Sequence, residues 1–331
     1  MKAYVLNRYG EEEKLQLRDL PTPKPSENEL LIEIHSASIN PIDLKIKSGK
    51  FKLMIPYKFP LILGHDLSGI VVGVGTKVTR FKVGDEVYTR PHNVGSFAEY
   101  IAVSEDVVAL KPTNITFEEA ASVPLVALTA WQALVDRAQL KKGDKVFIQA
   151  GSGGVGTYAI QIAKHLGATV ATTTSAKNSE LVKSIGADVV IDYKNQNFEQ
   201  ILSNYDIVLN TQDEKTLERS MNILKKGGKV VSISGPLDAN TTKQMKLSWF
   251  ARSIISLMSR RVINNSKELN IDYSFIFMRP NAIQLTEIAN MIERGIIRPV
   301  VDQIFPFEQI NQAMDYLSTG RAKGKVVIKI K

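Results

Sequence analysis

The sequence predicts a two-domain α/β protein in which a doubly wound parallel sheet is inserted into a smaller, β-rich domain. Three observations lead to this prediction. Short strands between glycine turns fill residues 1–120, strand and helix patterns alternate from residue 145 onwards, and a glycine-rich turn joins the first alternating strand to its helix. A length of 331 residues is typical of two domains.

The N-terminal region carries the alternating pattern of half-buried strands. In segment 31–35, Ile32 and Ile34 fall on one face, while Glu33 and His35 fall on the other. Segments 69–75 and 84–88 predict further strands bounded by glycine turns. Strands spaced this closely indicate a barrel-like or sandwich domain.

The middle of the chain predicts helices and then a parallel sheet. Thr116 and Glu119 form the capping-box pattern of a helix start, and Pro124 should separate this helix from a second one over 128–140. The predicted strands are 146–149, 169–172, 189–192, 206–209 and 230–233, with a candidate sixth at 273–277, and the predicted helices are 155–166, 179–185, 198–202 and 215–224. This alternation favours a parallel sheet covered on both faces.

The C-terminal region predicts a helix over 281–294 and a final strand over 324–331. Because this piece is too short to fold alone, we expect it to complete the N-terminal β-rich domain. The predicted domains are therefore 1–123 together with 274–331, and 124–273. Segments 45–60 and 236–272 are predicted to be loops that shape the substrate pocket.

The composition excludes several classes of protein. Apolar residues make up 44% and charged residues 23%, which is ordinary for a globular chain. The absence of cysteine excludes disulfides, thiolate metal sites and cysteine nucleophiles. The N-terminus has no signal-peptide pattern, and the apolar stretch 247–258 is interrupted by Arg252 and too short to span a bilayer. We therefore expect a cytoplasmic location and no membrane span.

The formal net charge of +8 leaves two interpretations open. Scattered lysines and arginines favour a solvated surface that attracts anionic cofactors, while incidental polyanion binding is the alternative. The sequence predicts no specific nucleic-acid partner.

A glycine-rich turn predicts a dinucleotide-binding site. It consists of Gly151, Ser152, Gly153, Gly154, Val155 and Gly156. A strand precedes the motif and a helix with a clean apolar stripe follows it, which is the context that the motif requires. The glycines permit a tight turn, and the helix N-terminus offers free N–H groups to a pyrophosphate.

The end of the second parallel strand predicts which nicotinamide cofactor binds. NAD-preferring sites place an acid there for the ribose 2′-hydroxyl. This chain has Thr174, Ser175 and Lys177 and no acid. The hydroxyls and the lysine would bind a 2′-phosphate, so NADPH is predicted. Lys177 has the alternative of a solvated lysine at a helix start.

Several motifs together resemble the medium-chain dehydrogenase/reductase superfamily, in its zinc-free quinone oxidoreductase and enone (alkenal) reductase branch. The resemblance covers essentially the whole chain. The segments that carry it are 38–43, 63–69, 81–85, 128–134, 150–156, 181–193 and 324–327. The resemblance implies a GroES-like catalytic domain around a Rossmann domain.

The resemblance also implies roles for individual residues. It places Asn40, Phe275 and Phe277 near the nicotinamide. Thr129 would contact the nicotinamide or its phosphate-side neighbours, and Lys325 would lie close to the cofactor. It makes Ser175, Lys177 and Tyr193 contacts of the 2′-phosphate and adenosine. Alternatives remain open: Asn40 could cap a turn, Tyr193 could be an ordinary strand-end aromatic, and either Phe275 or Phe277 could be core.

The zinc alcohol dehydrogenases of the same superfamily use a histidine at the position of His65 as a metal ligand. Their catalytic zinc also takes cysteine, which this chain lacks. We therefore predict no metal site, with His65 in a polar slot or a local hydrogen bond.

The predicted reaction is hydride transfer from NADPH to a quinone or an α,β-unsaturated carbonyl. Asn40 and Tyr57 are the candidate catalytic donors to the carbonyl oxygen, and Tyr57 has the alternative of a packing residue.

An enoyl-thioester reductase, with Arg252, Arg260 and Arg261 receiving a carrier phosphate, is one rival. A non-catalytic, NADPH-binding regulatory or polyanion-binding protein is another. The resemblance implies a homodimer formed by pairing edge strands of the nucleotide domains, for which segment 273–277 is a suitable apolar edge.

Overall fold

A computed structural model describes residues 1–52, 55–245 and 249–331. The strands in chain order are β1 (Lys2–Leu6), β2 (Gln16–Asp19), β3 (Glu29–Ile39), β4 (Leu61–Ile62), β5 (Asp66–Val74), β6 (Glu86–Thr89), β7 (Tyr100–Ser104), β8 (Val108–Leu110), β9 (Lys145–Ile148), β10 (Thr169–Thr174), β11 (Val189–Asp192), β12 (Tyr205–Asn210), β13 (Leu224–Ser232), β14 (Asp272–Phe275), β15 (Val301–Pro306) and β16 (Lys325–Lys329). The α-helices are α1 (Pro41–Lys47), α2 (Phe117–Ala121), α3 (Pro124–Trp131), α4 (Gly154–His165), α5 (Ser179–Ser184), α6 (Phe198–Ile201), α7 (Glu214–Met221), α8 (Ala239–Gln244), α9 (Trp249–Glu268), α10 (Ala282–Glu293) and α11 (Ile310–Ser318).

The chain divides into two compact units, one of residues 1–128 with 279–331 and one of residues 129–278. The domain limits predicted from the sequence, after 123 and after 273, lie earlier in the chain. At the C-terminal limit the difference has a structural reason. Strand β14 pairs with β13 of the second unit, so the unit cannot end inside that strand.

The first unit is built mainly from antiparallel strands. Within the described residues, one sheet has the order β15-β16-β3-β5-β6-β8, with β7 paired to β3, and another has the order β2-β1-β4. Strand β3 is the centre of the larger sheet and shows the predicted alternation, since Ile32 and Ile34 are fully buried. The C-terminal strand β16 pairs with β3, so the chain end completes this sheet as predicted.

The second unit is a parallel sheet of order β11-β10-β9-β12-β13-β14. The chain starts at the middle strand β9, winds outwards to β11, and then returns to build the other half. This strand order is that of a dinucleotide-binding domain, in which ligands bind at the carboxyl ends of the central strands. Buried apolar residues such as Phe147, Val208 and Val230 form its core.

Several predicted elements differ in extent from the observed ones. The second helix begins at Pro124 rather than at 128, because proline is favoured in the first turn of a helix, and it continues as a π-helical turn over Gln132–Arg137. The helix predicted over 215–224 ends at Met221, since Leu224 already begins β13. Strand β14 ends before Phe277.

The capping prediction at Thr116 is confirmed, because its hydroxyl accepts a hydrogen bond from the Glu119 backbone N–H at 3.2 Å. Segment 236–272, predicted as a loop, contains helices α8 and α9. The first two residues of the apolar stretch 247–258 lie outside the described residues. Within the described part of the chain, no helix is long and apolar enough to cross a membrane.

Candidate active site

The candidate site residues form two groups, one in each unit. The group in the first unit, called the polar cluster here, consists of Ser38, Asn40, Asp43, His65, Asp66 and Lys325. All six residues are buried although they lie in three distant parts of the chain. Buried polar side chains must find hydrogen-bond partners within the fold, so their contacts define this site.

Sheet register brings the polar cluster together. Ser38 near the end of β3 lies opposite Asp66 at the start of β5, and Ile39 lies opposite Val326 in β16. Asn40 therefore follows directly on the paired part of β3, at the level where Lys325 begins β16. No local pattern connects these strands, and only the pairing of the sheet makes them neighbours.

The carboxylate of Asp66 is the centre of the cluster. Its Oδ2 accepts from Ser38 Oγ at 2.9 Å and from Asn40 Nδ2 at 2.8 Å, and its Oδ1 accepts from the Leu125 backbone N–H at 2.8 Å. Lys325 Nζ lies 3.2 Å from Oδ2 and also donates to Asn40 Oδ1. The amide of Asn40 is thus held at both ends.

Lys325 is a desolvated cation. Its side chain is 3% exposed, and burial lowers the pKa of its ammonium, while the Asp66 carboxylate opposes that shift. A buried charge is tolerated only when paired and hydrogen-bonded, so Asp66 and Lys325 depend on each other.

A second carboxylate binds the histidine of the cluster. Asp43 Oδ1 lies 2.7 Å from His65 Nδ1, and Asp43 Oδ2 accepts from the Asn40 backbone N–H at 2.8 Å. Gly64, just before His65, has a φ of +95°, and a Cβ there would lie 2.2 Å from Ser96 Oγ. The His65 ring therefore has the local hydrogen bond that the sequence predicted.

Arg90, which directly follows β6, was missed by the sequence analysis. Its Nη1 donates to the backbone carbonyls of Pro91 and His92, at 2.5 and 3.1 Å, and its buried Nε has no hydrogen-bond partner within the described residues. No carboxylate of the described chain forms an ion pair with it. Burial lowers the pKa of Arg90, and Asp66, Tyr57 and Asp43 oppose the shift.

Tyr57 is a second side chain near this position with an unused donor, in addition to the buried hydroxyls of Ser36 and Ser96, which also have no partner among the described residues. Its backbone N–H donates to Tyr9 Oη at 2.9 Å, whereas its own hydroxyl has no partner among the described residues. Burial raises the pKa of the Tyr57 phenol, with Asp43 and Tyr9 adding to the shift and Arg90 opposing it. Tyr57 therefore remains a neutral, protonated donor at neutral pH.

The second group of site residues is built on the glycine-rich turn between β9 and α4. A Cβ on Gly151 would lie 2.1 Å from Thr172 Oγ1, and one on Gly156 would lie 2.4 Å from the Ala150 carbonyl. A Cβ on Gly153 would meet only the Ala150 carbonyl, at 3.3 Å. The first and third glycines are thus required by packing, whereas the middle one leaves the backbone open to a pyrophosphate.

The hydroxyl-rich end of β10 lies against this turn. Ser152 Oγ accepts from Thr174 Oγ1 at 2.8 Å and from Asn178 Nδ2 at 3.2 Å. A hydroxyl has one hydrogen to donate and two lone pairs. With both lone pairs occupied, the Ser152 hydrogen is left to donate elsewhere, which suits a phosphate oxygen. Asn178 Oδ1 is buried without a partner within the described residues.

The other predicted cofactor residues occupy several positions in the second unit. Lys177 is exposed, without a partner in the described chain, and Ser175 is buried. Tyr193 is 60% exposed, and its backbone N–H donates to the Thr174 carbonyl at 3.2 Å, so its backbone lies beside the end of β10. Thr129 is buried in α3.

The two phenylalanines that follow Ser274 differ in burial. Phe275 is buried at the end of β14, whereas Phe277 is partly exposed, and their ring centroids lie 5.3 Å apart. Phe275 therefore packs in the core, as one of the two was expected to do.

A buried amide network at the carboxyl edge of the sheet was also missed. Gln149 Oε1 accepts from Asn210 Nδ2 at 2.8 Å, Gln149 Nε2 donates to Ser220 Oγ at 2.7 Å, and Ser232 Oγ donates to Asn210 Oδ1 at 2.6 Å. The signal was a polar residue at the end of each of three apolar strands. This network satisfies the buried amide groups at the carboxyl edge of the sheet.

The described side chains were expected to form no metal site. Within the described residues, no group of three or more His, Cys, Asp or Glu side chains is placed to hold a metal ion. The ring nitrogen of His65 that faces Asp43 is already engaged.

Comparison with known proteins assigns the chain to a family. Residues 26–113 match the alcohol dehydrogenase GroES-like domain, and residues 185–328 match the zinc-binding dehydrogenase model. The mitochondrial NAD(P)H oxidoreductase RTN4IP1 of Danio rerio is 35% identical over 100% of this chain and 91% of its own length. The chloroplastic NADPH-dependent alkenal/one oxidoreductase of Arabidopsis thaliana is 36% identical over 99% of this chain and 79% of its own.

A solved structure agrees with these relatives. The quinone oxidoreductase of Coxiella burnetii superposes with a TM-score of 0.88 at 31% identity, covering 100% of this chain and 99% of that one. The predicted fold class, a Rossmann domain inserted into a GroES-like domain, is confirmed. The chain belongs to the medium-chain dehydrogenase/reductase superfamily, in the branch of the quinone oxidoreductases and alkenal reductases, and is an NAD(P)H-dependent oxidoreductase of that family.

Proposed function

We propose that this protein uses NADPH to reduce a quinone or an α,β-unsaturated carbonyl without zinc. The main support is two donors of the first unit that have no partner among the described residues, the buried Nε of Arg90 and the Tyr57 hydroxyl. A cation removed from water without a carboxylate partner is costly, so it indicates a site that receives negative charge.

NADPH supplies the hydride when it is bound. In reduction of an enone the hydride goes to the β-carbon, and negative charge develops on the carbonyl oxygen. Donors that are already oriented towards that oxygen lower the barrier, because they need no reorganisation during the reaction. Arg90 and Tyr57 fill this role in the proposal, while Asn40, Asp66 and Lys325 act as positioning residues that hold the ends of three strands together.

The cofactor preference follows from the end of β10. Ser152, Thr174, Ser175 and Lys177 offer hydroxyls and one cation, and the strand end carries no acid. An acid here would accept from a ribose 2′-hydroxyl and repel a 2′-phosphate. We infer that Lys177 pairs with the 2′-phosphate, that Tyr193 packs on the adenine, and that Asn178 orients Ser152.

Zinc independence rests on the ligand supply. Catalytic zinc takes about three protein ligands, drawn from Cys, His, Asp and Glu. The chain has no cysteine, and His65 is bound to Asp43.

We also propose a cytoplasmic location and a homodimer formed through β14, which is an edge strand of the parallel sheet.

The test of this function is a turnover panel. Purified protein would be assayed by NADPH absorbance with 1,2- and 1,4-quinones, a short enone, a longer alkenal and an enoyl thioester, with and without EDTA and in parallel with NADH. We expect turnover of a quinone or enone, preference for NADPH and no effect of EDTA. Turnover of the thioester alone would support a thioester-linked reductase, and NADPH binding without turnover would support a regulatory protein.

The cofactor preference has its own test. Lys177→Ala should weaken NADPH binding about tenfold while leaving NADH binding unchanged, because only NADPH carries the 2′-phosphate. Lys183→Ala, on the neighbouring helix α5, is the matched control. Equal losses for both cofactors would remove Lys177 from the 2′-phosphate site.

A further inference from the structure

His65 is a buried histidine that is held at one ring nitrogen and open at the other. Its Nδ1 lies 2.7 Å from Asp43 Oδ1, and its side chain is 4% exposed. Its Nε2 has no hydrogen-bond partner among the described residues. Unlike Nε2 of His35, this atom is not completely buried, so the small exposed part of the ring includes Nε2.

The Asp43 carboxylate determines which ring nitrogen carries the hydrogen. Its Oδ2 accepts from the Asn40 backbone N–H at 2.8 Å, and its Oδ1 also accepts from the Gly64 backbone N–H at 3.2 Å. Because a carboxylate among donors is an acceptor, Nδ1 of the histidine donates to it. Nε2 is then the atom at which the ring takes up and releases a proton. A carboxylate in this position also stabilises the imidazolium, as in a catalytic triad.

Backbone contacts hold both members of the pair. Asp43 is the third residue of α1 and forms the capping box of that helix with Asn40. The carbonyl of Gly64, directly before His65, accepts from the Gly95 backbone N–H at 2.9 Å. The orientation of the ring is therefore fixed before a substrate binds, and no reorganisation is needed when a proton moves.

The pair lies close to the two donors on which the proposed function depends. The loop that binds the Gly64 carbonyl follows Arg90, and Tyr57 packs against the core that contains Leu63. Burial raises the pKa of the Tyr57 phenol, and the charge of Asp43 adds to this shift. Burial lowers the pKa of Arg90, and Asp43 is one of the groups that oppose this shift.

Hydride transfer leaves a negative charge that a proton must balance. After the hydride, with its two electrons, has reached the β-carbon of an enone, the electrons of the former double bond leave an oxyanion at the carbonyl oxygen. The guanidinium of Arg90 stabilises that charge but does not release a proton. The Tyr57 phenol gives up its proton less readily than usual, because burial raises its pKa. Histidine is the side chain that most often transfers protons in enzymes.

We propose that His65 donates this proton through Nε2. The N–H bond at Nε2 breaks as the O–H bond to the substrate oxygen forms, and the neutral imidazole takes its next proton from water. A quinone that has accepted the same two electrons takes the proton on its own oxyanion. This inference rests on the proposed reductase function, and it makes His65 a catalytic residue in addition to a partner of Asp43.

Two substitutions separate the catalytic role of His65 from a structural one. His65→Asn keeps a side-chain N–H for Asp43 and removes Nε2, so it should keep the thermal midpoint and the affinity for NADPH but lower kcat about a hundredfold. His65→Ala should be as inactive, and added imidazole should restore part of its activity, which a structural role does not predict. His165→Asn, at the exposed end of α4, is the matched control and should behave as the wild type.

Nuclear magnetic resonance of protein with ¹⁵N-labelled histidine tests the geometry without turnover. The chain has four histidines, and the signals of His65 are those that the His65→Asn variant lacks. We expect a hydrogen on Nδ1. We also expect the Nε2 signal to move when 4-nitrophenol, whose phenolate mimics the oxyanion, is added with NADP⁺.

The outcomes distinguish this inference from the function on which it rests. A wild-type protein that reduces no member of the panel would remove the proposed function and the role of His65 with it. An active wild type with an equally active His65→Asn variant, or a folded His65→Ala variant that imidazole does not rescue, would overturn only the role of His65. Zinc that is bound by the wild type, absent from His65→Asn and removed together with activity by EDTA would also overturn it, because Nε2 would then be a metal ligand.

Discussion

The polar cluster of the first unit is built from side chains, whereas the glycine-rich turn of the second unit is built from backbone. Every member of the polar cluster depends on partners from distant strands. The turn is made of backbone, and its function depends on side-chain atoms that are absent. Removing a side-chain group should therefore disrupt the polar cluster, whereas adding a side-chain atom should disrupt the glycine-rich turn.

The two sites also differ in how they accommodate charge. Among the described residues of the first unit, the buried charges of Asp43, Asp66, Lys111 and Lys325 have partners, whereas the Nε of the partly buried Arg90 has none. In the second unit the phosphate site consists of dipoles and hydroxyls around a helix N-terminus, with one exposed lysine. A site of this kind attracts an anion without holding a desolvated charge before the anion arrives.

The largest expected effect is on the polar cluster. Asp66→Leu should lower the free energy of unfolding by about 3–5 kcal/mol, because it leaves Lys325 buried without its counter-charge. The double variant Asp66→Leu with Lys325→Met should recover most of this loss, since neither charge then remains. Urea unfolding measures both. A double variant as unstable as the single one would show that the hydrogen bonds, and not the ion pair, stabilise this region.

The next effect is catalytic. Arg90→Met should lower kcat for the quinone or enone about a hundredfold, with an unchanged KM for NADPH, because it removes one donor to the developing negative charge. Arg90→Lys should recover part of the activity. Arg80→Met, which removes an exposed arginine of the same unit, is the control. A thermal midpoint equal to that of the wild type would show that Arg90 is not needed for folding, and an unchanged kcat would remove it from the mechanism.

A smaller effect distinguishes two glycines of the turn. Gly156→Ala should destabilise the protein by about 1–3 kcal/mol, because its Cβ would lie 2.4 Å from the Ala150 carbonyl. Gly153→Ala should leave the thermal midpoint nearly unchanged and weaken NADPH binding about tenfold, because its Cβ occupies the side from which the pyrophosphate approaches. Calorimetry would measure the thermal midpoint of each variant, and cofactor titration would measure its affinity for NADPH. Equal destabilisation by both variants would contradict the assignment.

The smallest effect concerns a partly exposed ion pair of the first unit. The hydrogen bond from Lys331 lowers the pKa of Glu33 below 4.5, and Tyr100 adds to the shift. A carboxyl with a depressed folded pKa stabilises the protein above its unfolded pKa, and that contribution is lost as the pH falls through the folded pKa. Glu33→Gln should therefore reduce stability by about 0.5–1 kcal/mol at neutral pH and by less at about pH 3.

The control for this pH dependence is Glu12→Gln, which changes an exposed glutamate of the same unit. Unfolding would be followed by denaturant titration across the acid range. A Glu33→Gln difference that stays constant with pH would mean that packing, and not ionisation, causes it.

Much of the second unit could be predicted before its structure was known. Segment 189–192 coincides with β11, and the glycine pattern at 151–156 marks the turn into α4. The sequence also showed that the end of β10 carries no acidic residue. These features are local, because strand periodicity, helix starts and tight turns are set by backbone sterics within a few residues.

The first unit was less predictable at the level of its site. Asn40 and Lys325 were selected through family resemblance and Tyr57 from its place in a predicted loop. Nothing in the sequence indicated that Lys325 and Asp66, 259 residues apart, form an ion pair. Arg90 was overlooked because a single arginine after a strand has no motif. Its importance depends on burial and on the absence of a partner, which are properties of the folded state.

The chain by itself therefore specified its class, its phosphate-binding turn and the exclusion of thiolate chemistry, because these depend on residue type and short-range spacing. The folded arrangement alone decided which polar groups are paired and which remain unused. Pairing in a sheet follows from strand register, and register is set by the burial of whole faces rather than by any one segment. The unused donors of Arg90 and Tyr57 become visible only when that burial is complete.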